Sequence, residues 1–376
     1  MHKVYITGSA IISAIGNNKA ESVANIKRLD ESGVASLKSA ANFYNIKKSF
    51  KTQQEKFYSI LESTVKAAIV DAKLSAAEAQ DLHIFLGSTS MNITINEEAH
   101  LDFIEGRSEF TMKEVGFGVV GDFVEGLINA KHQATILQSA CTSSANGLTY
   151  AFNLIRHGKI KRALVIGVEV FNKATSEGFN SLMLLSPSGE CRPFDKDSDG
   201  IILGEACSAV ILDSTKSAPD NFECLAANTS FDNYSITNSH PEGNITFDCM
   251  KLVLEKANLK LEDITILKAH STGTPSSSLS EALAIEKLFE FYGRKVDVVA
   301  LKPFIGHSLG ACGTSEIVLL CECIKSGFIP KTFGFNEAYD GISFEMLTKK
   351  KEVRGATILF NSIGFGGSNN SIILRN

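Results

Sequence analysis

The strongest constraint on this chain is that it spells out the same succession of elements twice. In the first half KVYITG (3–8) reads as a strand, and FYSILESTVKAAIVDAKL (57–74) carries helical apolar spacing. HIFLGSTS (83–90) and ATILQSA (134–140) are strands ending in turns; a helix follows to about His157, then the strands RALVIGVEV (162–170) and ACSAVILD (206–213). The second half repeats the rhythm: DCMKLVLEKANL (248–259) as a helix, DITILKAHSTGT (263–274) and VDVVALKPF (296–304) as strands, and SEIVLLCECIKSG (315–327) as a helix. ATILFNSIGFGG and SIILRN close the chain as a strand pair around a glycine turn. Near-continuous apolar strands alternating with helices argue an α/β fold with sheets covered on both faces.

The halves also echo each other in sequence. AKLSAAEAQDLHIFLGS parallels ANLKLEDITILKAHS, and LIRHGKI (154–160) lines up with CIKSGFI (323–329). The two echoes come in the same order, which favours an internal duplication. The expected division is residues 1–215 and 216–376, connected near KSAPDNFEC (216–224). Two similar halves would be related by a pseudo-twofold axis, with a site between them drawing on both.

Composition removes several function classes. The chain has 376 residues, 44% hydrophobic and 21% charged, as an ordinary globular protein with ample core does. A net charge of −5 gives no global nucleic-acid footprint. No apolar run reaches the roughly 18 residues of a membrane span, and MHKVYITGSAIISAIGNN reads as strand and turn rather than a signal peptide. Eight cysteines (141, 191, 207, 224, 249, 312, 321 and 323) show no C-x-x-C and no nearby H-x-x-x-H, so no metal site is expected. Scattered cysteines of this kind read as reduced thiols in a cytoplasm.

One cysteine has a distinctive setting. In LQSACTSSANGL (137–148), Cys141 stands where a strand turns into a helix, among small residues that leave room for a substrate. A helix N-terminus favours an anion, so the thiol there is expected to titrate low. The local pattern alone fits a nucleophile or a small structural residue. His270 (in HSTGTP) and His307 (in KPFIGHSLGACG) follow strands by a few residues, in turns that resemble each other. Lys302 lies five residues before His307, and Glu316 nine after it, both in apolar surroundings that suggest a buried pair. The glycines of NSIGFGGSNN (361–370) can aim backbone N–H groups into a site, as an oxyanion hole requires.

Taken in order, SACTSS, CRPFDKDSDGIILGEA (191–206), HPEG (240–243), HSTGTP (270–275), KPFIGHSLGACG (302–313) and NSIGFGGSNN resemble the β-ketoacyl-acyl-carrier-protein synthases, the elongating condensing enzymes of the thiolase fold. The resemblance implies two duplicated βαβαβ-type halves in a layered α-β-α-β-α architecture. It implies that Cys141 takes the acyl chain as a thioester, and that His270 and His307 hold the malonyl thioester carbonyl and the enolate left when carbon dioxide departs. Backbone N–H groups of Cys141 and Phe365 would form the oxyanion hole. Phe365 would gate the acyl pocket, Lys302 paired with Glu316 would support the histidines, and Thr272 and Thr274 would touch the phosphopantetheine arm.

The resemblance implies no metal and no cofactor of the protein's own, since the phosphopantetheine is carried by the acyl carrier protein. It implies that carrier as partner, a homodimer or a heterodimer with a second ketosynthase, and a cytoplasmic setting. A priming synthase would carry Asn at the third catalytic position, where this chain has His307; a thiolase would carry a second cysteine near GFGGSNN; a chain-length factor would lack Cys141.

The chain departs from the family at Ser271, where glycine is common, at Ser276, Ser277 and Ser278, at Ser198 in place of arginine, and at Asn370 in place of alanine. These changes favour a specialised polyene or polyketide role of the aryl-polyene kind over housekeeping fatty acid synthesis. The alternative is a pocket-shaping partner subunit, like a chain-length factor, with little turnover of its own. A thioesterase or acyl-binding protein is a third reading.

Overall fold

The computed structural model describes residues 1–32, 43–109 and 111–376. Ten strands form its main ladder: β1 (Val4–Ser13), β2 (His83–Gly87), β3 (Thr135–Leu137), β4 (Arg162–Glu169), β5 (Ala206–Asp213), β6 (Glu223–Phe231), β7 (Ile266–Lys268), β8 (Asp297–Val299), β9 (Thr357–Gly364) and β10 (Ser368–Arg375). Five helices pack against them: α1 (Gln53–Asp71), α2 (Ser143–Arg156), α3 (Asn244–Ala257), α4 (Pro275–Tyr292) and α5 (Cys312–Lys325).

The duplication is visible in the strand order. The ladder runs β8-β7-β9-β10-β6-β1-β5-β4-β2-β3. Each half therefore places its third, second, fourth, fifth and first strands side by side. Each half is also parallel between its second, third and fourth strands and antiparallel where its fifth strand meets the fourth and first. In the main ladder the halves meet where β1 pairs with β6, Val4 with Cys224 and Tyr5 with Glu223. Helices α2 and α5 begin and end at the same spacing from one another, as the LIRHGKI and CIKSGFI echo implies.

The layers follow from side-chain alternation along the strands. On β2 Phe85 joins one core while Ile84 and Leu86 join another; on β5 Val210 and Leu212 face one way and Ala209 and Ile211 the other. The shared core lies between the two halves. It holds Leu148 and Phe152 of α2 and Ile317 and Leu320 of α5, with strand residues from both sides such as Val165 and Phe360. The outer faces carry α1 on the first half and α3 and α4 on the second. This is the expected α-β-α-β-α layering. The two central helices approach closely: a methyl group on Gly313 would lie 2.5 Å from the Ala145 backbone nitrogen, so only glycine fits there.

Two details differ from the sequence reading. The first strand runs on to Ser13, where KVYITG suggested an end at residue 8. The segment ECLAANTSF, whose first two residues fall in the expected connection KSAPDNFEC, is strand β6, with ladder bonds from β10 and β1 at once.

Candidate active site

Cys141, His270, His307 and Phe365 all sit just beyond the carboxyl ends of parallel strands, where side chains of both halves converge. Before α2 the chain leaves β3 through a tight turn, with Ala140 in the left-handed region at φ 49°. Before α5 the equivalent turn has Leu309 at φ 42°. The two turns face each other across the pseudo-axis: the Cys312 thiol lies 3.1 Å from the carbonyl oxygen of Cys141.

Cys141, His270, His307, Phe365, Thr272 and Thr274 line one narrow cleft, together with Phe179, Leu184, Ile201, Ser276 and Ser277. The Cys141 sulfur lies 3.1 Å from His307 Nε2. The two imidazoles are nearly perpendicular, with ring centroids 5.2 Å apart. The Phe365 N–H points at the Cys141 sulfur, and its ring stacks on Phe179 at 5.7 Å. A methyl group on Gly364 would stand 3.3 Å from the Cys141 nitrogen, so the hairpin backbone lies directly against the backbone of the cysteine.

Lys302 and Glu316 stand behind this cleft rather than on its wall. Both are buried, with 1% and 0% of their side chains exposed, and they pair at 2.7 Å. The Lys302 ammonium donates to the His270 carbonyl at 2.5 Å and lies 3.4 Å from His270 Nδ1. It is thus a strut beneath one imidazole.

The electrostatics correct one expectation. The helix N-terminus was expected to lower the Cys141 thiol, but burial pushes the thiol up. The neighbouring Cys312 acts in the same direction, while Lys302 and the Phe365 N–H pull it down less strongly. Desolvation of a thiolate in a nearly closed cleft outweighs one helix terminus. Burial also holds both imidazoles well below their ordinary range; Lys302 adds to this at each, His307 at His270, and Lys268 at both. The resting site therefore contains a thiol and two neutral imidazoles.

Three buried ionic groups here were not singled out in the sequence. Lys268, at the end of β7, forms an ion pair with Glu316. The Glu281 carboxylate accepts the His270 and Ser271 N–H groups at 2.7 Å each and Asn361 Nδ2 at 2.7 Å. Glu169 accepts the N–H groups of Thr89 (2.8 Å), Ser90 (2.9 Å) and Gly310 (3.2 Å), fixing the turn that carries His307. The signal available for Lys268 was a charge inside the apolar run ITILKA.

Two of the departures from the family pattern, Asn370 and Ser198, find hydrogen-bond partners, and the Ser271 hydroxyl does not. Asn370 donates to Asn146 (2.9 Å), Thr149 (2.8 Å) and Thr229 (3.3 Å), and the Ser198 hydroxyl meets that of Tyr339. Ser271 adopts φ 38°, a conformation suited to the usual glycine, and its buried hydroxyl has no hydrogen-bond partner. All eight cysteines are free and buried. Among the described residues no cluster of His, Cys, Asp or Glu suits a metal ion, and no helix is long and apolar enough to cross a membrane.

Comparison with known proteins agrees with this architecture. Residues 35–218 match the beta-ketoacyl synthase N-terminal domain, and residues 222–336 the C-terminal domain. The chain is 28% identical to 3-oxoacyl-[acyl-carrier-protein] synthase 2 of Coxiella burnetii over 68% of its own length and 66% of that relative. It is 24% identical to the Staphylococcus aureus enzyme of the same name over 99% of this chain and 98% of the relative. Among solved structures, a type II polyketide ketosynthase in complex with its acyl-carrier protein superposes with a TM-score of 0.89 at 19% identity, covering 100% of this chain and 99% of that one. A ketosynthase in complex with its chain length factor from Xenorhabdus doucetiae gives 0.84 at 22% identity, covering 100% and 98%. At these identities the structural likeness speaks for the fold.

Proposed function

The chain belongs to the β-ketoacyl synthase family, and we propose that it is a 3-oxoacyl-[acyl-carrier-protein] synthase acting by decarboxylative Claisen condensation. The observation that carries this reading is a buried sulfur 3.1 Å from an imidazole, facing a second neutral imidazole in the same cleft. The named relatives support the activity, and the carrier-protein and chain-length-factor complexes of the neighbours support an acyl carrier protein and a second synthase chain as partners.

The geometry suits each step. Since the resting thiol titrates high, the sulfur loses its proton only as it attacks, and the His307 Nε2–H at hydrogen-bond distance stabilises the charge that develops on it. The acyl group passes from the carrier's pantetheine sulfur to Cys141, and the proton leaves on the pantetheine thiol. Malonyl carrier protein then enters past Thr272 and Thr274. Its carboxylate leaves as carbon dioxide, and the bonding pair becomes an enolate. Two neutral imidazoles presenting Nε2–H stabilise the enolate oxygen with fixed dipoles, which is why their depressed titration matters. The enolate carbon attacks the Cys141 thioester, the backbone N–H groups of Cys141 and Phe365 receive the oxyanion, and collapse expels the Cys141 sulfur as a thiolate, which takes one proton from solvent.

The cleft wall carries Ser276 and Ser277 in place of the family's usual residues, which supports a specialised polyene or polyketide substrate over a housekeeping fatty acid. A cytoplasmic, dimeric enzyme follows from the same reading. The test is condensation by the purified protein with acyl- and malonyl-carrier proteins. A 3-oxoacyl product two carbons longer is expected, and none from Cys141→Ala. Product from that variant would overturn the nucleophile assignment. Activity only with a second synthase added would favour a pocket-shaping subunit, and free acid without a new carbon–carbon bond would make it a hydrolase.

A further inference from the structure

Lys268 lies two residues before His270 at the end of β7, with 1% of its side chain exposed. A lysine so completely buried requires compensation for its charge. It meets Glu316 Oε2, which accepts no hydrogen bond of ordinary geometry and is held by this ion pair instead. It also donates to the Asn361 carbonyl at 3.2 Å. Glu316 Oε1 binds Lys302, and Lys302 binds the His270 carbonyl. One carboxylate thus joins two ammonium groups, with β7, β9 and α5 tied together behind the imidazoles.

We propose that Lys268 is a positioning residue for decarboxylation: it holds the second oxygen of Glu316, and through it Lys302 and His270, and so keeps the imidazole pair aligned and uncharged. The proposal rests on the condensing reading and extends it to a lysine outside the expected set of catalytic groups.

The surroundings of the imidazoles support a charge-dependent role. Lys302, Lys268, Glu316, His307 and the Glu281 carboxylate, which binds its backbone N–H, surround His270. His307 faces the Cys141 thiol and His270, with Lys302 and Lys268 behind it. The Lys268–Glu316–Lys302 trio carries a formal excess of one positive charge, whereas the Lys302–Glu316 pair alone would be neutral. That excess opposes protonation of both imidazoles and favours the anions of this half-reaction, the malonyl carboxylate before carbon dioxide leaves and the enolate after.

The test compares Lys268→Met and Lys268→Arg with the unmutated protein. In unreacted protein, NMR titration of His270 and His307 should move upward by about one pH unit in Lys268→Met and stay near its original position in Lys268→Arg. Carbon dioxide release from malonyl-carrier protein should fall about 10- to 100-fold in Lys268→Met, with its acid limb shifted to higher pH. Acylation of Cys141 should stay within about threefold. Should Lys268→Met not fold, Lys268→Gln is read in the same way. An unmoved imidazole titration with carbon dioxide release within about threefold would overturn the proposal. So would equal losses of acylation and decarboxylation with a lowered unfolding midpoint, the mark of a purely structural lysine. If the unmutated protein releases no carbon dioxide, the condensing reading fails, while the imidazole titration still decides the role of Lys268.

Discussion

Replacing Glu316 with glutamine removes the carboxylate that pairs directly with both buried ammonium groups. The amide is isosteric, so packing is kept and the charge is lost. Lys302 would retain the His270 carbonyl and Lys268 the Asn361 carbonyl. Breaking one buried pair costs about 3–5 kcal/mol, and two such losses would approach the whole stability of many domains. Deprotonation sets a lower ceiling. From an ordinary lysine value of 10.5, neutralising one ammonium at about pH 7.5 costs about 4 kcal/mol.

The expected loss at that pH is therefore about 4 kcal/mol, and it should shrink by about 1.4 kcal/mol for each pH unit above it, because the variant folds with fewer protons than its unfolded chain. The unmutated protein behaves differently. Its Glu316 is held below the ordinary carboxylate value by Lys268 and Lys302 against the opposing effect of burial, so that contribution is fully present above 4.5 and lost as pH falls through the folded value. Its Lys302 is raised by Glu316 against the effect of burial, so that contribution is present below 10.5 and lost as pH rises through the folded value. Urea unfolding at about pH 7.5 and 9.5 should thus show little change for the unmutated trio and a recovery of about 2.7 kcal/mol for Glu316→Gln. A loss below about 1 kcal/mol with no recovery at high pH would refute the reasoning.

Other perturbations test other parts of the account. Ser271→Gly should raise the unfolding midpoint, because relief of a left-handed serine, of order 1–2 kcal/mol, exceeds the entropy cost of glycine, and a fall would show that the strain is not there. Gly313→Ala should cost about 1–3 kcal/mol in urea unfolding, since its methyl group would meet the Ala145 backbone at 2.5 Å; an unchanged midpoint would mean that the central helices can separate. Alkylation of Cys141 by iodoacetamide at neutral pH should run at least about tenfold slower than a free cysteine and accelerate as pH rises, read by site-resolved mass spectrometry. Fast reaction at neutral pH would show a standing thiolate.

Much of the site was legible because its chemistry needs particular residues at turns. Cys141, His270, His307 and the glycine hairpin each announce themselves as a reactive or small group at a strand end, and the fold brings them to one cleft. The duplication was legible because strands buried on both faces leave apolar runs that recur in order. What was not legible depends on three-dimensional neighbours. Strand β6 is held by two flanking strands. Lys268, Glu281 and Glu169 gain their roles only when distant backbone N–H groups and charges surround them. The Cys141 thiol was misjudged because a helix terminus can be read locally, whereas the burial that outweighs it cannot.

The central claim is that Cys141 carries the acyl chain during condensation. Rapid-quench intact-mass measurement of the protein mixed first with acyl-carrier protein and then with malonyl-carrier protein tests it most directly. The account requires one acyl adduct, located on Cys141, which disappears as carbon dioxide and the 3-oxoacyl product form in equal amounts. Product formed with no adduct on Cys141, or an adduct that persists while product accumulates, would contradict it.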